Sequence, residues 1–143
     1  MEKADLVKYR AMALEVRQLR SLLSELEAAT LAIAGPDFSG MPRGGASQGS
    51  ALESRVVRYL DTVALYREKT ADLTAALYAV ETAIGSLDSP TERLIMRLRY
   101  IKGRSWPSVC LALQALGYSE RQVYRLHGSA LMKLREVTTN EKG

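Results

Sequence analysis

The stretch that decides the fold is GYSERQVYRLHGSALMKLR, residues 117–135, where a glycine turn and a serine precede a run of helix-forming residues. Ser119 and Gln122 stand at capping-box spacing, so a helix is predicted to begin here. Its inward stripe consists of Val123, Leu126, Ala130, Leu131 and Leu134. Its opposite face carries Arg121, Tyr124, Arg125, Gly128 and Ser129. Such a helix can read DNA or simply cover a core, and the neighbouring sequence has to decide.

Two shorter helices are predicted just before it. SPTE at 89–92 has a cap, a proline at the first helical position and a glutamate at capping-box spacing, so a helix is expected over 89–101. Gly103 then marks a turn, and Ser105 can cap a second helix over 106–115. Its inward positions are Val109, Leu113 and Leu116. Helix, short glycine turn and helix in this order are typical of a helix-turn-helix domain, predicted here over 89–137 with a disordered tail over 138–143.

The first 88 residues have a different pattern. From Leu52 to Leu87 apolar residues recur at alternating steps of four and three, and the same spacing runs from Tyr9 to Ile33. Between them GPDFSGMPRGGASQGS, residues 35–50, predicts a flexible linker. We therefore expect an all-α protein in which residues 1–88 form a long antiparallel, coiled-coil-like hairpin. A single hairpin has a narrow seam, so a homodimer through this region is expected as well.

Charge is distributed unevenly along the chain. Residues 1–88 carry 10 Lys/Arg against 12 Asp/Glu, whereas residues 89–137 carry 9 against 3. The basic surplus therefore lies in the three-helix region, where a polyanion is expected to bind.

The third helix and the turns before it hold the candidate site residues. Its first turns have the side chains that read base edges in the major groove, where Arg suits guanine and Gln suits adenine. The candidates for base readout are Ser119, Glu120, Arg121, Gln122, Tyr124 and Arg125. The candidates for phosphate contacts are Arg97, Arg99, Lys102, Arg104, Ser129 and Lys133. Gly128 can serve close approach to a phosphate or to a neighbouring helix, and His127 is expected to be a hydrogen-bonded packing residue.

Other classes of function find little support in the sequence. One cysteine, Cys110, and one histidine exclude an internal disulfide and a histidine–cysteine metal cluster, so neither a metal nor another cofactor is expected. No window approaches the length of a membrane-spanning helix, and a cytoplasmic protein without membrane association is expected. Because no set of reactive polar residues converges in the pattern, an enzyme is not expected.

Residues 87–135, LDSPTERLIMRLRYIKGRSWPSVCLALQALGYSERQVYRLHGSALMKLR, resemble region four of bacterial sigma factors. The strings RYI-x-G-x-SW and YS-x-R-x-V-x-RLH-x-x-AL are similar to phage- and prophage-encoded regulators of the ArpU and RinA type. This resemblance implies a double-stranded DNA-binding regulator of phage late or packaging genes that acts with host RNA polymerase. The segment LALQALGY is longer than the sigma pattern, so the second helix or its turn has to absorb extra residues.

Two alternatives keep the same architecture with another role. A phage small-terminase-like packaging subunit also combines a helix-turn-helix with oligomerising helices, and would form a ring of many subunits. A sigma-like adaptor would bind RNA polymerase while its basic face contributes little to DNA affinity.

Overall fold

The computed structural model describes residues 1–34 and 45–141, and this part of the chain is all-α. The helices are α1 (Lys3–Ala34), α2 (Gly45–Gly85), α3 (Pro90–Met96), α4 (Trp106–Gln114) and α5 (Glu120–Glu141). A π-helical turn, Arg97–Ile101, continues α3. The predicted all-α fold class is therefore confirmed, and the starts of the last three helices agree with the capping residues in the sequence.

Two predicted irregular segments are partly helical. In the linker predicted over 35–50, α2 already begins at Gly45, because residues 45–50 contain no proline and a helical glycine costs only about 1 kcal/mol. The tail predicted to be disordered over 138–143 continues α5 to Glu141. There the hydroxyls of Thr138 and Thr139 donate to the carbonyls four residues earlier, at 3.2 and 3.1 Å. Residues 35–44 and 142–143 lie outside the described residues.

The helices form two compact units. The terminal unit comprises Met1–Ala13 with Leu73–Gly143, and the middle unit is Leu14–Asp72. The sequence places a domain boundary at residue 88, whereas the start of α1 and the end of α2 share a core with the last helices. That core consists of Leu6, Tyr9, Val80, Ile84, Leu87, Met96, Tyr100, Ala130 and Leu134. A second core joins α3, α4 and α5 through Ile95, Val109, Leu113 and Val123.

The middle unit has no comparable core. None of its described residues is buried, and its seam positions are at most half-buried. Glu15 of α1 and Lys69 of α2 form an ion pair at 3.8 Å. The Thr30 hydroxyl donates to the Leu26 carbonyl at 2.7 Å, so this polar side chain in the seam is satisfied within its own helix.

The connection between α4 and α5 is a Schellman motif. Gly117 has φ +92, a conformation suited to glycine. Its N–H donates to the Gln114 carbonyl, and the Tyr118 N–H donates to the Leu113 carbonyl, each at 3.0 Å. Leu116, predicted to point inward, is 61% exposed. That prediction is wrong because α4 ends at Gln114, which leaves Leu116 in the turn and outside the helical register.

The start of α3 differs from its predicted capping box in one partner. The Ser89 hydroxyl accepts from the Glu92 N–H at 3.3 Å, as expected for a cap. The Glu92 carboxylate does not complete the box, because it is buried and both of its oxygens accept from Lys133 Nζ at 3.0 Å. The buried charge of Glu92 is satisfied by α5 instead of by its own helix.

Candidate nucleic-acid interface

The first turn of α5 is held by a reciprocal cap. Ser119 Oγ accepts from the Gln122 N–H at 3.3 Å, and Gln122 Oε1 accepts from the Ser119 N–H at 2.8 Å. This confirms the capping box that the sequence predicts. The four other candidates for base readout lie exposed on the same turns: Glu120, Arg121, Tyr124 and Arg125.

The cap also constrains two of the predicted base contacts. A glutamine pairs with adenine through both its amide oxygen and its amide nitrogen. In Gln122 the oxygen is already occupied by the Ser119 N–H. Ser119 likewise uses its hydroxyl within the helix start. Both residues position α5 in this structure, and contacts with bases are left to the second lone pair and the N–H groups of the Gln122 amide and to the O–H of Ser119.

Tyr124 lies on a platform of aromatic side chains. Its ring centroid is 5.0 Å from that of Trp106, with the planes inclined at 53°. The Arg99 guanidinium stacks on Trp106 at 4.7 Å from the ring centroid. Burial raises the pKa of the Tyr124 hydroxyl, and the nearby Cys110 and Glu120 raise it further. The phenol is therefore protonated at neutral pH and can donate a hydrogen bond to a phosphate or a base.

His127 supports this platform from below. Its Nε2 and the Tyr100 hydroxyl form a buried hydrogen bond at 2.8 Å, and its ring meets Trp106 edge-on at 4.6 Å between centroids. Burial, together with the charges of Lys3 and Arg99, lowers the pKa of His127 to about 4. The imidazole is neutral at pH 7, and the prediction of a hydrogen-bonded packing residue is confirmed.

The basic residues of the last three helices fall into two groups. Arg97 pairs with Glu81 at 3.2 Å and Lys133 with Glu92 at 3.0 Å. Predicted as phosphate contacts, these two have internal carboxylates as partners, and Ser129 is only half-exposed. Among the cations of residues 89–137, Arg93 donates to backbone carbonyls, and five others have no carboxylate ion-pair partner in the described chain: Arg99, Lys102, Arg104, Arg121 and Arg125. They cluster at the turn before α4 and at the start of α5, so these two places carry the uncompensated positive charge.

Sequence reasoning missed a contribution from α1. Leu6 and Tyr9 are buried in the core with α5, and Arg10 Nη2 donates to the Gly103 carbonyl at 3.3 Å. The seam starting at Tyr9 can be extended back by three residues to Leu6, so this signal was available. The sequence contains no comparable signal for Arg10, because α1 was assigned to a different domain from the turn that Arg10 contacts.

A cleft of about 450 Å³ opens beside the exposed face of α5. Its lining residues are Pro107, Cys110, Leu111, Gln114, Tyr118, Ser119, Glu120 and Tyr124. Burial, followed by the charge of Glu120, raises the pKa of the Cys110 thiol, while a hydrogen bond with Tyr124 lowers it. The net shift keeps the Cys110 thiol protonated and uncharged at neutral pH, next to the acidic side chain of Glu120.

Two further features limit the kinds of site that the described residues form. Among residues 1–34 and 45–141, no three His, Cys, Asp or Glu side chains lie together as metal ligands would. None of the helices in that part of the chain is long and apolar enough to cross a membrane.

Comparisons with known proteins found no match, so the functional proposal rests on the geometry of the site. No protein-family model matches the sequence, and no curated protein and no solved structure matches the chain. The resemblance of residues 87–135 to sigma region four and to ArpU- and RinA-type regulators stays a hypothesis, and it is tested through the exposed face of α5.

Proposed function

We propose that the protein is a sequence-specific, double-stranded DNA-binding transcriptional regulator in which α4 and α5 act as a helix-turn-helix. The observation that carries the proposal is the outer face of α5. Arg121 and Arg125 lie one helical turn apart on either side of Tyr124, all three exposed, on a helix whose start is fixed by a double cap. Rigid placement of a few donors is what base readout in the major groove needs.

Phosphate contacts complete the proposed docking. Arg99, Lys102 and Arg104 lie at the turn before α4, without internal carboxylate partners in the described chain. A helix-turn-helix uses the helix before the recognition helix to cross the backbone, so charges at the start of α4 suit phosphates that flank the groove. In this assignment α5 supplies specificity and the turn before α4 supplies affinity.

The middle unit is assigned to homodimerisation. Outside the seam, Val57, Leu60 and Ala64 form a second exposed apolar stripe on α2, with Val57 53% and Leu60 58% exposed. The described span of α2 in this unit, residues 49–72, is about 36 Å long, and two helices about 10 Å wide offer roughly 700 Å². That is close to the roughly 800 Å² per partner of a standard stable interface. The unit is also nearly neutral, with 7 Lys/Arg and 8 Asp/Glu over 14–72, so two copies meet without strong repulsion.

Selection of binding sites from random duplexes tests specific recognition. Wild-type protein is expected to enrich paired half-sites, because a dimer presents two copies of α5. R121A/R125A is expected to lose about 5- to 150-fold in affinity per guanine contact and to lose the sequence preference. R55A/R58A is the matched control, since it removes the same charge from exposed positions of α2. Equal binding of wild type to selected and scrambled duplexes in competing salt would refute the proposal.

Sedimentation tests the dimer and separates two roles. Leu60→Glu is expected to yield monomers of unchanged helix content, whereas Met132→Glu, at a position of α5 that is 65% exposed, is expected to leave the dimer intact. A monomeric wild type at tens of micromolar contradicts dimerisation. A ring of eight or more subunits favours the small-terminase-like packaging role over regulation.

The proposed regulatory context is transcription of phage late or packaging genes with host RNA polymerase, and it rests on the resemblance of residues 87–135. A sigma-like adaptor predicts a different outcome for one variant. An adaptor in which Arg121 and Arg125 are replaced by alanine retains polymerase binding and its effect on transcription. A regulator that reads DNA through α5 loses its effect on transcription at the selected site.

A further inference from the structure

The turn that precedes α4 is held by two arginines from distant parts of the chain. Arg10 of α1 donates to the Gly103 carbonyl at 3.3 Å, and Arg99 donates to the Arg104 carbonyl at 3.0 Å. Gly103 has φ +67, so this turn has a conformation that favours glycine. Because the two accepting carbonyls belong to consecutive residues, both guanidiniums lie against the same short segment.

These guanidiniums lie close together without acidic partners. In residues 1–34 and 45–141, neither Arg10 nor Arg99 forms an ion pair with a carboxylate, and their hydrogen bonds go to backbone oxygens. Burial lowers the pKa of Arg99, and the charge of Arg10 lowers it further. Like charges held together repel each other, and a bound anion offsets that repulsion by attracting both guanidiniums.

The start of α1 adds a second cation on the same side. Lys3 and Arg10 are seven residues apart, which places them on one face of the helix. The charge of Lys3 reaches His127, which packs under Trp106. The start of α1 thus brings Arg10 to the place where Arg99, Lys102 and Arg104 lie, with Lys3 two helical turns away on the same face.

We propose that Arg10, assisted by Lys3, binds a phosphate of the DNA backbone together with Arg99 and Arg104. This inference rests on the proposed DNA-binding function and extends its surface to the start of α1. The paired guanidiniums present several N–H donors in a fixed arrangement, which suits the non-bridging oxygens of a phosphodiester. Their attachment to the turn before α4 places that phosphate beside the helix-turn-helix and not on a remote face.

Variants of α1 test the role of charge at this position. Each phosphate contact contributes about 0.9 to the slope of log affinity against log salt concentration. Arg10→Gln is therefore expected to lower that slope by about 1 and to weaken binding equally on selected and scrambled duplexes. Arg10→Lys keeps the charge while losing the arginine fork, and is expected to retain the wild-type slope. Lys8→Gln, exposed and about 200° around the same helix, is the matched control and is expected to change nothing.

A second measurement identifies the source of the phosphate. Trp106 is the only tryptophan and lies under Arg99, so its fluorescence reports on this site. Duplex DNA is expected to change the emission of wild type and to change that of Arg10→Gln only at higher DNA concentration. Inorganic phosphate at millimolar concentration and matched ionic strength is expected to leave it unchanged. If inorganic phosphate produces the same change and displaces the duplex, the site binds free phosphate and the inference is overturned.

The two possible failures have different signatures. A wild-type protein that binds no duplex refutes the proposed function itself. A wild-type protein that binds duplex with the same slope as Arg10→Gln, while thermal melts show both to be folded, refutes only the role of Arg10.

Discussion

The buried imidazole of His127 makes stability depend on pH in a window that can be stated in advance. In the folded chain it stays neutral down to a pKa of about 4, whereas in the unfolded chain its pKa is about 6.5. Between these values the unfolded state binds more protons, so the free energy of unfolding falls as pH is lowered. Above pH 6.5 both states hold a neutral imidazole, and the contribution of this group is constant.

The size of the effect follows from the two pKa values. The shift from 6.5 to about 4 corresponds to about 3 kcal/mol once both states are protonated, at about 1.4 kcal/mol per unit. Between pH 7 and pH 5 the same relation gives a loss of about 2 kcal/mol. His127 is only 8% exposed, so solvent screens little of this difference.

Two measurements test this prediction, one of the free energy of unfolding and one of the pKa of His127. Urea unfolding followed by Trp106 fluorescence gives the free energy of unfolding at pH 7 and pH 5 for wild type and for His127→Gln. The variant cannot titrate at this position, so its loss between the two pH values is expected to be smaller by about 2 kcal/mol. Because His127 is the only histidine in the chain, its proton resonance gives the folded pKa directly.

The titration of this resonance uses wild-type protein, so it tests the low pKa of His127 even if His127→Gln does not fold. A titration midpoint near 6.5 in folded wild type would refute the claim that Lys3, Arg99 and burial hold the imidazole neutral. Equal pH dependence in wild type and His127→Gln would refute the linkage to stability even with a low midpoint.

Substitutions in the terminal unit give three further predictions. Lys133→Met leaves the buried Glu92 carboxylate, which is 3% exposed, without its cation and is expected to lower the free energy of unfolding in urea by about 2 kcal/mol. Adding Glu92→Gln to this variant is expected to recover part of the lost stability. An unchanged stability of Lys133→Met would contradict the role given to Lys133 as the partner of Glu92. Gly128→Ala is expected to stabilise α5 by about 1 kcal/mol, since nothing lies within 4 Å of the added Cβ. Gly117→Ala, at φ +92, is expected to destabilise the protein by about 1 kcal/mol. Thermal melts in which both alanine variants shift the melting temperature in the same direction would contradict these two predictions.

Local signals in the sequence were sufficient for the helices. The capping pairs at 89–92 and 119–122 and the glycine turns each act within a few residues, and the structure has helix starts at those places. The open space around Gly128 also narrows its two sequence interpretations, because no neighbouring helix approaches it.

Capping residues and turn glycines do not predict contacts between residues that are far apart in the chain. The pairing of Glu92 with Lys133 joins residues 41 apart, and the bond from Arg10 to Gly103 joins residues 93 apart. Charge counting found the basic region but gave every cation equal weight. Only the folded chain separates Arg97 and Lys133, which have carboxylate partners, from Arg99, Arg121 and Arg125, which have none in the described residues.

The core that joins Leu6 and Tyr9 to Leu134 has a consequence for biosynthesis. Leu6 leaves the ribosome about 130 residues before Leu134, which at 5 to 20 residues per second is about 6 to 26 s. During that interval the apolar face of the nascent N-terminal helix lacks its partners Ala130 and Leu134 from α5. The terminal unit therefore completes its folding only after α5 has left the ribosome, and a premature stop before α5 leaves α1 as a target for chaperones and proteases.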